Sequence, residues 1–137
     1  MNKKFWIGFV VVFVAMQVTD FLIHCVLLMA TYMAQTPGIF RPMTEINNML
    51  LVIVSVITSF FLTMLYSKGH EGKGIGEGVR FGLYFGFVTA TPMAYTTFAV
   101  QPITYSLAMQ WFIYGMVQAL ILGILLSVVY GKKEVAA

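Results

Sequence analysis

Residues 5–33 read FWIGFVVVFVAMQVTDFLIHCVLLMATYM. A helix rises ~1.5 Å per residue and the hydrocarbon layer is ~30 Å thick, so about 20 apolar residues suffice to cross it. This run exceeds that length and is interrupted only by Asp20 and His24 near its middle. A cleavable signal core is shorter, about 7–15 residues, and His24 stands where processing before Cys25 would need a small side chain. The run therefore reads as a retained transmembrane helix.

Three further stretches, 46–66, 81–100 and 103–130, meet the same length test. The first and last exceed the minimum, so they are expected to tilt or to extend into the headgroups. The whole chain of 137 residues is 60% hydrophobic and 9% charged, against about 25% charged in a soluble domain. The fold class expected is an all-α, integral membrane four-helix bundle, one domain over residues 1–137.

The bases give the orientation. Lys3, Lys4, Lys68, Lys73, Arg80, Lys132 and Lys133 fall on one side of the four spans and Arg41 alone on the other. By the positive-inside rule both termini and the central loop are cytoplasmic. Trp6, Tyr66, Tyr84 and Tyr130 then stand at the inner interface and Tyr32 and Tyr105 at the outer one. The expected location is a bacterial inner (cytoplasmic) membrane. The net charge of +3 is dispersed and forms no basic stripe, so nucleic acid is not expected as a partner. A single cysteine excludes an intrachain disulfide.

Between the spans, QTPGIFRPMTE (residues 35–45) is broken by Pro37, Gly38 and Pro42, and Thr44 is the expected N-cap of the second helix. KGHEGKGIGEGVR (residues 68–80) reads as a flexible, solvated loop. It lacks the strand and the Lys-Ser/Thr of a phosphate cradle. Pro92 cannot donate to the Val88 carbonyl, so Thr89, Thr91 or a neighbouring helix must compensate, or the third helix kinks there.

Small residues recur every fourth position: Gly74, Gly78, Gly82, Gly86, Ala90 and Ala94 on the third helix, and Gly115, Ala119, Gly123, Ser127 and Gly131 on the fourth. The second adds Ser55, Ser59, Thr63 and Ser67. In lipid such stripes let backbones approach, and Gly82, Gly86, Gly115 and Gly123 are the expected contact points.

Polar residues at mid-membrane depth are the candidate site. Gln17, Asp20, His24 and Thr31 share one face of the first helix, and Gln110, Tyr114 and Gln118 one face of the fourth, with Tyr95 at comparable depth on the third. A carboxylate at mid-bilayer costs ~2.5–3.5 kcal/mol on insertion scales, so Asp20 needs a partner or a proton, and His24 lies one turn away. The ligand or proton site expected is Asp20, His24, Tyr95, Tyr114 and Gln118. Its structural counterpart is a hydrogen-bonded clamp between the first and fourth helices. No cofactor, metal site or nucleophile–base pair is evident, so an enzyme is not expected. Four short spans with one acid in the first resemble the small multidrug transporters in architecture, although QVTDFLIHC (residues 17–25) carries no motif of theirs. The leading expectation is a non-enzymatic accessory or scaffold subunit, partnered by the bilayer and by other membrane subunits or itself. The alternative is an oligomeric proton-coupled transporter.

Overall fold

The computed structural model describes residues 2–131, and among these there is no strand. Lys132 and Lys133, two of the bases used for the orientation, lie outside the described residues. Helix α1 (Lys3–Asp20) runs on through a π-helical segment (Phe21–Leu27) into α2 (Met29–Met33). After a 3-10 turn at Met43–Glu45 come α3 (Asn48–Gly69) and α4 (Ile75–Thr91). A second π segment (Pro92–Thr96) joins α4 to α5 (Thr97–Val100), and α6 (Tyr105–Tyr130) follows. Three helices, Lys3–Leu27, Asn48–Gly69 and Tyr105–Tyr130, are each long and apolar enough to cross a membrane.

Caps fix the helix starts. Asn2 Oδ1 accepts from Phe5 N at 3.0 Å, Asn47 Oδ1 from Leu50 N at 3.0 Å and Thr104 Oγ1 from Leu107 N at 3.3 Å. Thr44 is therefore not the cap of α3. It lies in the 3-10 turn, and Ile46 beyond it is extended, so the helix begins only after Asn47. Asn47→Ala is expected to lower stability in detergent by about 1 kcal/mol, while Thr44→Ala should leave the melting temperature unchanged.

The glycine-rich segment is also shorter as a loop than its composition suggests. It turns at Gly74, whose φ of +76° disfavours any other residue, and is helical from Ile75. Pro92 is accommodated by the wider π turn that starts at it. Thr89 does not serve the Val88 carbonyl, because its hydroxyl donates to Phe85 O at 2.8 Å.

Helices α4 and α6 lie backbone to backbone. A Cβ added at Gly82 would sit 2.6 Å from the Ala119 carbonyl oxygen, and one at Gly123 would overlap the Gly78 carbonyl and sit 2.9 Å from Gly82 N. Helix α3 packs on α1 through its second half. There Thr63 Cγ2 lies 3.2 Å from where a Cβ on Gly8 would be, and Ser59 Oγ donates to Met16 Sδ at 3.3 Å. Its first two turns, from Met49 to Val54, are wholly exposed.

Two apolar clusters result. One gathers Val12, Leu62, Tyr66, Leu122, Leu126 and Tyr130, and the other Leu28, Ala94, Ile103, Leu107, Ala108 and Trp111. The first adjoins what is here called the near end, where Lys4 Nζ donates to Tyr130 O at 2.7 Å and the His70 ring lies 5.3 Å from that of Tyr130. The far end is tied by Gln35. Its Oε1 accepts from Thr104 N at 2.9 Å, and its Nε2 donates to Thr31 O at 2.9 Å and Thr104 Oγ1 at 3.0 Å.

Candidate functional site

Where α3 diverges from the rest, a cavity of about 320 Å³ opens between the two clusters. Its walls come from α1 (Met16), the first π segment (Ile23, His24), α3 (Thr58), α4 and the second π segment (Phe85, Thr89, Ala90, Met93), and α6 (Trp111, Gly115, Gln118, Ala119, Leu122). Both π segments thus contribute to it, and such insertions concentrate at functional sites. A larger groove of about 490 Å³ on the other face of α1 is shallow and lined by valines, Ala15, Ile121, Leu125 and Thr19. The Thr19 hydroxyl is already occupied by Ala15 O at 2.8 Å, so that groove offers only apolar contact.

Asp20 is held by α6. Gln118 Nε2 donates to Asp20 Oδ1 and to Thr19 Oγ1, each at 2.7 Å. Eleven residues further along the chain from Asp20, Thr31 Oγ1 donates to Gln110 Oε1 at 2.9 Å. The stripe on the first helix and the stripe on α6 therefore meet at two depths.

His24 bonds elsewhere. Its Nδ1 lies 2.6 Å from the Tyr32 hydroxyl, which accepts from Trp111 Nε1 at 2.8 Å. An indole only donates, and the hydroxyl keeps one proton and a second lone pair, so Tyr32 either donates to His24 Nδ1, which puts the ring proton on Nε2, or accepts from Nδ1–H. Asp20 and His24 are not hydrogen-bonded to each other. Tyr114 is half-buried in the far cluster and bonds neither of them. Tyr95 packs against Phe112, with ring centroids 5.7 Å apart, and against Tyr105 at 6.4 Å, away from the carboxylate. Of the five candidate residues, the structure joins Asp20 to Gln118, brings His24 and Gln118 to one cavity from different elements, and leaves Tyr95 in aromatic packing and Tyr114 against the far cluster.

Three participants were not visible as such in the sequence: Thr19, Tyr32 and Trp111. Tyr32 reads as an interface anchor from its place at the outer end of the first span. The wider turns of the π segment bring it round to His24, eight residues back.

A buried carboxylate lies at the near end. Glu77 is 5% exposed, contrary to the solvated loop that its composition suggests. Its Oε1 accepts from Glu71 N at 2.8 Å and faces His70 Nδ1 at 3.0 Å, and its Oε2 accepts from Lys73 N at 2.8 Å. Burial pushes the Glu77 carboxyl up, but the two backbone donors and His70 outweigh it and hold it below the usual glutamate range. Glu71 outside it is exposed and is likewise lowered, by Lys73 and Arg80. A loop of glycines closes because one side chain supplies the acceptors that its own amides need.

Searches against protein-family models, curated proteins and solved structures each return no match to this chain.

Proposed function

We propose that the chain crosses a bacterial inner membrane four times, with both ends cytoplasmic, and serves as a non-enzymatic accessory or scaffold subunit of a membrane assembly. The observation that carries this reading is the mutual pairing of the polar residues at membrane depth. Asp20, Thr19 and Thr31 on the first helical stretch, and Gln35 just beyond it, are matched by Gln118, Gln110 and Thr104 at and before α6. These groups are used to fix one helix on another, and in lipid such bonds, together with close small-residue contacts, are what hold helices together. The seven-to-one division of bases supports the orientation. Reporters fused within residues 69–74 should read as cytoplasmic and one at Gly38 as exported.

A second reading, an oligomeric proton-coupled carrier, is favoured by the cavity beside Gln118 and His24. Asp20→Asn separates the two, because the amide oxygen still accepts from Gln118 but cannot exchange a proton. For a subunit, the variant should co-purify with the same stoichiometric partners from native membranes as the parent. For a carrier, it should fold yet abolish uptake driven by a pH gradient in proteoliposomes. Purification of the parent with no partner, together with such a loss, would overturn the subunit reading.

A further inference from the structure

The cavity has a specific polar endowment. Gln118 has committed both amide protons, to Asp20 and Thr19, and its Oε1 is given no partner by any described residue. His24 has committed Nδ1 to Tyr32, and no described residue is bonded to its Nε2. Thr89 has committed its hydroxyl to Phe85. The remaining walls are Met16, Ile23, Phe85, Met93, Leu122 and their neighbours. The site therefore offers the Gln118 acceptor and His24 Nε2, which donates when Nδ1 accepts from Tyr32, in a half-open, mostly apolar cavity. Its volume of about 320 Å³ lies at the lower end of the ~300–1,000 Å³ typical of small-molecule pockets.

We propose that this cavity binds an uncharged amphiphile carrying a single hydroxyl, which enters from the lipid phase. With Nδ1 accepting from Tyr32, a hydroxyl in the cavity accepts from His24 Nε2–H and donates to Gln118 Oε1; in the other tautomer it donates to either. An anionic headgroup is disfavoured, because no lysine or arginine lines the cavity and the Asp20 carboxylate stands directly behind Gln118. The chain of bonds from Trp111 through Tyr32 to His24 holds the imidazole ring and hence the direction of Nε2. The inference rests on the cavity alone and holds whether or not a protein partner is found.

The chain provides its own probe. Of its two tryptophans, Trp111 lines the cavity and is 8% exposed, whereas Trp6 is 48% exposed. In a Trp6→Phe background in lipid nanodiscs, Trp111 emission should be titrated with an ω-bromoalkanol, the matching ω-bromo fatty acid and the matching ω-bromoalkylamine, bromine being the quencher. The alkanol should quench saturably, with a midpoint at least about fivefold below those of the acid and the amine. His24→Phe, which keeps a ring but removes the donor, should weaken the alkanol about fivefold to tenfold, the value of one hydrogen bond. Thr58→Phe, which fills the cavity from the α3 side and leaves the polar network alone, should abolish saturable quenching. Equal or unsaturable quenching by all three probes would overturn the proposal. So would tightest binding of the amine, which would make Asp20 the reader of a cation. Should His24→Phe fail to fold, the head-group order and Thr58→Phe decide, and persistence of saturable quenching in Thr58→Phe overturns it.

Discussion

Gly123→Leu is expected to prevent α4 and α6 from closing, giving protein that aggregates or elutes as an expanded species in mild detergent. Even Gly123→Ala should be costly, about 3 kcal/mol, the upper part of the range for overpacking. The added Cβ would meet backbone on the facing helix, the Gly78 carbonyl and Gly82 N and Cα, and backbone cannot step aside. Gly78 and Gly82 are equivalent from the other side, against Gly123, Ala119 and Leu120. Gly86→Ala should be much milder. Its Cβ would sit 2.8 Å from Met116 Sδ, and an unbranched thioether can swing away. Gly8→Ala, whose neighbours are side-chain methyls at 3.2 Å, should be milder still. Melting temperatures of the alanine series in one detergent check the order, and a Gly123→Ala variant as stable as Gly86→Ala would show that the two backbones do not touch.

The second large effect is expected at Glu77. Glu77→Leu leaves the amides of Glu71 and Lys73 without their acceptor beside a buried side chain, at a cost of about 3 kcal/mol. Glu77→Gln keeps the size but loses the charge, and is expected to fall between Leu and the parent. Hydrogen exchange at the Glu71 and Lys73 amides should rise in both variants before global unfolding does. The pH dependence follows from the sign of the shift. The folded carboxyl titrates below its unfolded value, so its contribution is fully present above the usual glutamate range. It is lost as pH falls through the depressed folded value. The stability gap between parent and Glu77→Gln should therefore be constant near neutrality and narrow only in acid, below pH of about 4.3. A gap that closed between pH 8 and 6 would assign the effect to another group.

How much of this could be read from residue order differs by element. Long apolar runs and four-spaced small residues fix the helical character and the faces that meet, because length and periodicity are local properties. The pairing of Asp20 with Gln118 was also legible, since depth in a membrane is nearly proportional to residue number. What was not legible depended on departures from the regular helix. The bonds of His24 to Tyr32 and of Tyr32 to Trp111 depend on a π segment that no pattern in FLIHCVL announces. Glu77 reads as part of a solvated, mixed-charge loop at the start of the third helix because charge density points to solvent. Burial there follows from the path of the loop around it, which residue types alone do not specify. Gly86 and Gly123 look alike in a stripe, and only the facing atoms, a methionine tip in one case and a carbonyl in the other, separate them.

The π segment in the first helical stretch also means that one continuous helix holds one residue more than its turns need. Five residues along a π turn advance nearly as far round the axis as four along an α turn. Loss of Cys25, Val26 or Leu27 would let an unbroken α-helix form, with His24 and Tyr32 then seven apart and within about 20° of one line. Thr31 and Tyr32 would stay near Gln110 and Trp111. The same loss among residues 8–16 has no such slack and would turn one part of the helix against the other by about 100°. Along this helix residues 21–27 are thus where a single-residue deletion does least harm.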